Sequence, residues 1–442
     1  MVKIIQSGEF DSYWKGCIAR RDDEAVESAV KEIIAAVRAE GDEAVRRFAS
    51  RFDKSSPQRL EVSPSLAEQA ADKLRRENPQ LAAAMELVAD HIKRFSLKQK
   101  AQFSDFDHEM ETGLVTGQRV IPVERAAVYV PAGRFPLFST VLMGLIPAFC
   151  AGVEEVVLAS PPLEDGLPDQ NILAAAGIAA AVTSGGKLRI FAIGGAQAVA
   201  ALALGTESVP RVDVIAGPGN KYVAAAKRIL FGEVGIDFVA GPTDVLIIAD
   251  GVTTQAADLV AADMIAQAEH DPDACARALV PSRELAEHIV TALERQLAAL
   301  PTAETARASL DSGGLIIVYQ SRDEAVRMAN AIAPEHLELQ TADAESWPSL
   351  LKNYGSLFIG SLSAEVLGDY SAGINHTLPT SSSARFTGGL SVRHFLKTVT
   401  VLCCTPGEGF DKACHAAEIL AKAEGLAGHA ASAAIRLKFN RN

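Results

Sequence analysis

Several short segments combine histidine with amide or carboxylate side chains at spacings that suit metal binding. Gln267 and His270 are three residues apart in a segment with helical periodicity, so their side chains are predicted to share one helix face. An amide oxygen and an imidazole nitrogen both suit a borderline cation such as zinc. Two ligands do not make a site, however, and this segment taken alone also fits a surface histidine.

A second pair, Glu335 and His336, precedes an alternating apolar pattern that is typical of a strand. A desolvated carboxylate can activate water, and an imidazole with an ordinary pKa near ~6.5 can exchange a proton at neutral pH. Neighbouring side chains in a strand point to opposite faces, so both reach one substrate only if the strand has not yet begun at Glu335. An exposed Glu-His pair without a function explains this segment equally well.

Two further segments bring acidic residues and histidines together with glycine. Asp369 and His376 flank a glycine-containing stretch that suits either a ligand-presenting loop or an ordinary turn. Glu424 and His429 lie in a C-terminal helical region, where two glycines indicate a helix end or a close backbone approach. A frayed surface helix is the simpler interpretation of that region.

Two glycine-rich turns, within residues 194–197 and 217–220, follow predicted strands and precede predicted helices. Helix N-termini approached through glycine favour anions, because their N–H groups are free and the helix dipole is positive there. Tyr222 occupies the place of the third glycine of the dinucleotide-binding pattern, so each turn alone also fits a tight connection. Two such turns at the carboxyl ends of parallel strands favour a nucleotide crevice.

The elements that must position these residues alternate from about residue 122 onward between short β-rich runs and Ala-rich helices, which is typical of a parallel sheet in an α/β fold. Residues 22–98 and 410–437 show helical periodicity, which predicts helical regions near both ends of the chain. The strands are predicted at residues 126–130, 156–159, 189–193, 212–216 and 245–249, with a second set at residues 314–319 and 356–359.

The composition excludes several classes of protein. The 442 residues include 42 Lys plus Arg and 55 Asp plus Glu, and the formal net charge of −13 argues against nucleic acid or an anionic membrane as a partner. The longest apolar run, residues 141–153, is interrupted by glycine and proline, and the first residues lack a signal-peptide pattern. The six cysteines form no Cys-x-x-Cys pair. We therefore expect a cytoplasmic protein with reduced thiols.

Taken in order along the chain, these motifs resemble those of the histidinol dehydrogenase family. The resemblance extends from about residue 22 to residue 437. The motifs that carry it are Tyr129–Gly133, Ser139–Met143, Gly194–Ala198, Gly217–Asn220, Ala240–Thr243, Gln267–His270, Ala333–Glu338, Gly368–Tyr370, Asn375–Thr380 and Glu424–His429.

The resemblance implies a zinc-dependent, NAD-linked enzyme that performs the last steps of histidine biosynthesis. It would oxidise L-histidinol to L-histidine through an enzyme-held aldehyde, L-histidinal, in two hydride transfers. His336 would take the alcohol proton, and Glu335 would activate the water that hydrates the aldehyde. The implied zinc ligands are Gln267, His270, Asp369 and His429.

The resemblance also implies the residues that bind substrate and cofactor. The substrate residues would be Thr243, Gln267, His270, His336, Asp369, His376, Glu424 and His429. The NAD site would be lined by Tyr129, Gln197 and Asn220.

The implied fold is α/β, with two incomplete Rossmann-like domains built on parallel sheets and small helical appendages at both ends. The implied assembly is an intertwined homodimer with shared active sites, in which the segment that holds Glu424 and His429 reaches the neighbour's site. The expected boundaries are an N-terminal arm at 1–24, a first domain at 25–107 plus 242–389 with the metal and acid/base residues, a second domain at 108–241 on the NAD side, and a C-terminal helical segment at 390–442.

Two departures from the family pattern affect the expected substrate. Thr243 and Asp244 stand where the family usually has Ser and Glu, and Ala132 stands where glycine is usual. The alternative from the same scaffold is a paralogue that oxidises another small alcohol, such as the sulfonated diol sulfopropanediol, with the same zinc and NAD. A zinc hydrolase in which Glu335 activates water, and a metal-stabilised binding protein, are alternatives from other classes.

Overall fold

The computed structural model describes residues 2–18, 24–132, 136–183, 185–251 and 253–439. The chain forms two compact units. The main unit comprises residues 1–97 and 124–395, and the small unit comprises residues 98–123 and 396–442.

Within the described residues, the strands are β1 (Lys3–Gln6), β2 (Glu61–Val62), β3 (Phe106–Glu111), β4 (Leu114–Pro122), β5 (Arg125–Tyr129), β6 (Glu155–Ser160), β7 (Lys187–Ala192), β8 (Val214–Ala216), β9 (Gly235–Ile236), β10 (Asp244–Ala249), β11 (Cys275–Val280), β12 (Leu315–Val318), β13 (His336–Gln340), β14 (Ser356–Ile359) and β15 (Leu396–Cys404). The helices are α1 (Phe10–Ile18), α2 (Glu24–Glu40), α3 (Asp42–Phe52), α4 (Ser65–Glu77), α5 (Pro79–Lys100), α6 (Phe138–Ala151), α7 (Gln170–Thr183), α8 (Gly195–Leu204), α9 (Lys221–Leu230), α10 (Thr254–Ala268), α11 (Arg283–Leu297), α12 (Ala303–Gly313), α13 (Arg322–Ile332), α14 (Glu365–Tyr370), α15 (Glu408–Ala423) and α16 (Ala427–Phe439).

The first sheet of the main unit is parallel throughout and has the order β1-β12-β11-β10-β13-β14. Its central strand β10 is buried on both faces, as expected when helices cover both sides of a parallel sheet. Val245 and Ile247 pack into one apolar cluster, and Leu246 and Ile248 pack into the cluster on the opposite face. The prediction of an α/β fold with parallel sheets is confirmed by this arrangement.

The second sheet of the main unit has the order β2-β7-β6-β5-β8-β9, and every pair in it is parallel except β2 with β7. From β5 the chain first adds β6 and β7 on one side and then returns to add β8 and β9 on the other. The order therefore reverses between β5 and β8, and in open α/β sheets ligands bind at the carboxyl ends of the strands that flank such a point. Gly217 follows β8 there with φ +114°, and a side chain at this position would collide with the carbonyl oxygen of Tyr129.

Helices α2 and α3 pack differently from the expected grouping, which placed residues 25–107 with residues 242–389. Apolar residues of α2 and α3, such as Val30 and Phe48, lie in the same core as Val157 of the second sheet. The expected N-terminal arm contributes β1, which pairs with β12 at the edge of the first sheet. The amphipathic pattern of these helices shows which face is buried, but it does not show which sheet buries it.

The small unit contains an antiparallel sheet of order β15-β4-β3, and its helices α15 and α16 pack against each other. Residues 390–442 were expected to be helical, but residues 396–404 form the strand β15. All six residues of β3 are exposed, so this strand lacks the apolar alternation by which strands are recognised.

No helix among the residues that the structure describes is long and apolar enough to cross a membrane.

Candidate active site

A cavity of about 180 Å³ in the main unit is lined by six of the nine residues predicted to bind metal or substrate or to act as acid and base. It lies where the amino ends of β10 and β13 in the first sheet approach the segment after β8 in the second. The lining residues include Thr243, His270, Glu335, His336, Asp369, His376 and Pro218.

His336 is the first residue of β13, and Glu335 precedes the strand. The strand has therefore not yet begun at Glu335, which is still in the connection after α13. This was the condition for a joint role, and both side chains reach the same cavity. Ala333, with φ +51°, makes the left-handed turn that ends α13.

Three carboxylates surround the buried His336 ring. Its Nδ1 lies 3.5 Å from Glu365 Oε1 and 4.0 Å from Glu335 Oε2, and its Nε2 lies 3.4 Å from Asp369 Oδ1. Burial disfavours the charged imidazole, but the negative charges of Glu365, Glu335 and Asp369 outweigh it and raise the pKa of His336 well above its usual range. The three carboxylates therefore favour the protonated form of the ring.

Glu335 is also buried, and burial raises its pKa to about 7. The carboxylate is not isolated, because its Oε2 lies 2.5 Å from the Thr243 hydroxyl and accepts the Asp244 N–H at 3.1 Å. The Glu335 N–H in turn donates to Asp244 Oδ1 at 3.3 Å. These bonds hold the carboxyl group in place, and near neutral pH it exchanges between its two protonation states.

Glu365, which the sequence analysis missed, lies in the same cluster and is buried. With its amide nitrogen toward Glu365, Gln267 donates to that carboxylate. Its oxygen then lies 2.6 Å from the Thr243 hydroxyl oxygen and 3.0 Å from the Asp244 nitrogen, two donors whose single protons are shared with Glu335 Oε2. Burial and the charge of neighbouring carboxylates raise the pKa of Glu365 well above its usual range. Its spacing of four residues from Asp369 was the available signal, because such a pair shares a helix face.

The donor set of the cavity fits a cation. Both ring nitrogens of His336 and Oδ1 of Asp369 are buried without a hydrogen-bond partner among the described residues, which is costly unless a ligand completes the site. His336, Glu365 and Asp369 each offer a ligand atom, and these atoms lie within 4.8 Å of one another. This group shares only Asp369 with the ligand set that the family resemblance implies. His270 lines the same cavity two residues beyond the end of α10, so the helix is shorter than the sequence predicted.

His376 is held in place by its two ring nitrogens. Nδ1 lies 2.9 Å from the carbonyl oxygen of Asp369, and Nε2 lies 3.2 Å from the Thr140 hydroxyl. Burial lowers the pKa of His376, so the ring is neutral, with Nδ1 donating to the carbonyl and Nε2 accepting from the hydroxyl. His91 contacts the same loop through the carbonyl oxygen of Ser371, at 2.7 Å from its Nδ1.

The three residues predicted to line the cofactor site lie at the carboxyl edge of the second sheet. The Tyr129 hydroxyl accepts the Gly195 N–H at 3.1 Å, and the Gln197 amide donates to Asp53 Oδ2 at 3.3 Å. Asn220 caps α9, its side-chain oxygen accepting the N–H groups of the second and third helix residues at 3.0 and 3.1 Å. Those two N–H groups are therefore occupied, contrary to the expectation that they would be free for an anion.

Comparisons with known proteins identify the family of the chain. A family model described as histidinol dehydrogenase matches residues 18–437. The histidinol dehydrogenase of Thermus thermophilus is 46% identical over 414 residues, covering 94% of this chain and 95% of that protein. The histidinol dehydrogenase of Pseudomonas aeruginosa is 43% identical over 415 residues, covering 94% of this chain and 92% of that protein. The chain belongs to the histidinol dehydrogenase family.

A solved structure supports the family assignment at the level of the fold. The crystal structure of histidinol dehydrogenase from Elizabethkingia anophelis matches with a TM-score of 0.88 and 34% identity, covering 98% of this chain and 97% of that one. The chain is therefore an oxidoreductase of the histidinol dehydrogenase family.

Two of the site residues implied by the family, Glu424 and His429, lie in the small unit. Glu424 follows the last residue of α15, and His429 lies in α16. Both side chains are exposed. Gly425, with φ +80°, separates the two helices, which is the helix end that the sequence indicated. The roles of Glu424 and His429 in binding metal and substrate stay predictions.

Proposed function

We propose that the chain oxidises L-histidinol to L-histidine through L-histidinal, using zinc and NAD, as a cytoplasmic enzyme of histidine biosynthesis. The observation that carries the proposal is the convergence of Glu335, His336 and Asp369 in one cavity, with buried atoms of His336 and Asp369 that make no hydrogen bond. This cavity borders the carboxyl edge of the second sheet through Pro218. A dehydrogenase needs such an acid/base pair next to its cofactor crevice.

His270 and Asp369, together with Gln267, are the residues of one chain that would hold the metal, and His429 of a partner subunit would complete the set. A mixed set of oxygen and nitrogen ligands suits zinc. Gln267 would exchange one of its present hydrogen bonds for the metal. When bound, zinc supplies a positive charge that orients a nitrogen-rich substrate and offsets the surrounding carboxylates.

His336, in its neutral form, accepts the hydroxyl proton of the substrate in the first step and that of the hydrated aldehyde in the second. The three carboxylates around the ring stabilise the imidazolium that forms. Glu335 acts in the second step, where its carboxylate takes a proton from the water that adds to the aldehyde. NAD, when bound, accepts a hydride in each step.

The cavity lining favours an amine substrate over a sulfonated one. Its described residues include the carboxylates Glu335 and Asp369 but neither lysine nor arginine. A sulfonate requires cationic or N–H donors, whereas the amine and imidazole of histidinol require acceptors. This contrast supports histidinol rather than sulfopropanediol as the substrate.

We also propose that the enzyme is a homodimer with shared active sites. Glu424 and His429 would act in the site of the neighbouring subunit, Glu424 on the substrate and His429 on the metal. Nucleic acid and membranes are not expected partners, in keeping with the net charge of −13.

The direct test follows NADH formation by the zinc-loaded enzyme with L-histidinol, L-histidinal and sulfopropanediol. We expect turnover of the first two. Turnover of sulfopropanediol alone would show that histidinol is not the substrate. NAD-independent hydrolysis of an ester or amide would show that the reaction is not an oxidation.

His336→Asn is the matching variant, because asparagine keeps a polar side chain but cannot act as the base. We expect both oxidation steps to slow by about 10²-fold or more, with zinc content unchanged. Loss of zinc in this variant would show that the role assigned to His336 is wrong.

A further inference from the structure

Asp53 lies at the carboxyl edge of the second sheet, although it belongs to neither a strand nor a strand-to-helix turn of that sheet. It follows α3 directly and is half-buried. One carboxylate oxygen accepts from the Gln197 amide at 3.3 Å, and the carboxylate also accepts the N–H of Gly194. Asp53 therefore contacts a residue predicted to line the NAD site.

The backbone at Gly194 leaves room for this carboxylate. A Cβ at Gly194 would lie 2.7 Å from Asp53 Oδ1 and 2.7 Å from Pro161 Cγ, so a larger residue would displace one of them. Burial raises the pKa of Asp53 to about 6, and the group is thus mainly ionised at neutral pH. An ionised carboxylate has about four acceptor positions, of which these contacts use two.

The strand order places Asp53 far from the reacting end of the crevice. The cavity that contains Glu335 and His336 meets this sheet at Pro218, after β8, whereas Asp53 lies beside the turn after β7. These strands are three places apart in the order β7-β6-β5-β8, which corresponds to about 14 Å at the usual strand spacing. An extended dinucleotide with its nicotinamide near Pro218 therefore brings its adenosine half toward Asp53.

We propose that Asp53 binds the adenosine ribose hydroxyl groups of NAD and makes the site selective for NAD over its 2′-phosphorylated form. The inference rests on the proposed NAD-linked function. A carboxylate accepts hydrogen bonds from neighbouring ribose hydroxyls, the arrangement by which dinucleotide-binding folds choose NAD. A 2′-phosphate would instead place like charges in contact and would lose those donors.

The first test compares Asp53→Asn with the wild type, using NAD and NADP as cosubstrates for L-histidinol. We expect the KM for NAD to rise about tenfold, and the preference for NAD over NADP, as a ratio of kcat/KM values, to fall at least about tenfold. Asp213→Asn is the matched control, because Asp213 is an exposed carboxylate at the amino edge of the same sheet that accepts the Arg125 N–H at 3.0 Å. This control should leave both constants unchanged.

The second test uses an analogue of NAD that lacks the adenosine ribose 2′-hydroxyl, one of the groups that Asp53 is proposed to bind. We expect the 2′-deoxyadenosine analogue of NAD to bind the wild type about tenfold more weakly than NAD, and Asp53→Ala, which has no side-chain acceptor, to bind the two equally. Equal losses in both proteins, or an unchanged preference for NAD over NADP in Asp53→Asn, would mean that Asp53 only caps the Gly194 turn. Failure of the wild type to use NAD would instead overturn the proposed function.

Discussion

At the residue scale, we expect the environment of Glu335 to set the pH dependence of the proposed aldehyde step. The carboxyl must be ionised to take a proton from water, and burial raises its pKa to about 7. We therefore expect the rate of L-histidinal oxidation to rise with pH up to about 7 and to fall by about tenfold per unit below it. Glu335→Gln should lower this rate by about 10²-fold and remove that dependence.

Oxidation of L-histidinol by the same variant is the internal control for Glu335. The alcohol step needs His336 as its base and no added water, so it should be affected much less. Equal losses in the two steps, measured as separate kcat/KM values, would contradict the division of roles between the two residues.

The Thr243 hydroxyl connects Glu335 with the Gln267 amide, at 2.5 and 2.6 Å respectively. Thr243→Val keeps the shape of the side chain but leaves buried polar partners unsatisfied. We expect it to cost about 1–3 kcal/mol of unfolding free energy and to lower kcat/KM about tenfold or more. Thr243→Ser keeps the hydroxyl and should stay close to the wild type in both urea unfolding and activity. Wild-type stability and activity of Thr243→Val would show that the hydroxyl does not hold the two groups.

Individual residues were predictable where their chemistry is visible locally. The pairing of Glu335 with His336 was one such case, since both lie next to each other in the chain. Glu365 was not recognised, because a carboxylate on an apolar helix resembles a surface residue until the fold buries it. The occupied helix end at Asn220 was also hidden, because a glycine-rich sequence does not show whether its own side chains cap the helix.

At the element scale, a buried ion pair holds the turn between β8 and α9. Lys227 donates to the carbonyl oxygen of Gly217 at 3.0 Å and pairs with Asp237, whose other oxygen accepts the Gly217 N–H at 2.8 Å. Both charged side chains are at most 2% exposed. The pair thus fixes both backbone groups of the residue at the proposed cofactor crevice.

Removing one member of this pair leaves a buried charge. We expect Lys227→Met to cost about 3–5 kcal/mol in urea unfolding and to raise the KM for NAD, because the Gly217 turn loses its support. The double variant Lys227→Met with Asp237→Asn removes both charges and should recover part of the lost stability. A double variant as unstable as the sum of the single changes would show that the two side chains act independently.

The same scale shows what the sequence could specify about the fold. Most of the buried parallel strands were recognised because their runs of Val, Ile and Leu are distinctive, as in β10. β11, which contains Cys, Ala and Arg, was missed. The sheet against which each amphipathic helix packs was not recognised, since an apolar stripe fits any apolar surface of matching shape. The exposed strands β3 and β15 escaped notice because neither is covered on a face by core residues.

At the scale of the whole molecule, the small unit leaves many apolar side chains in contact with solvent. They include Phe106, Met110, Leu402, Ile419, Leu420 and Ile435, each more than half exposed. Exposed apolar area of this extent on one unit is typical of a surface that binds another protein. It supports the proposed homodimer, in which this unit carries His429 and Glu424 to a neighbouring subunit.

Shared sites make a distinctive prediction for mixtures of two inactive variants. His336→Asn damages the main unit and His429→Ala damages the small unit. In a mixed dimer one site combines both defects, whereas the other joins an intact main unit with an intact small unit. Co-expression in equal amounts should give about half mixed dimers, and therefore about a quarter of wild-type activity with L-histidinol. If His429 serves its own chain, every site in the mixture carries one defect and activity stays at the level of the separate variants.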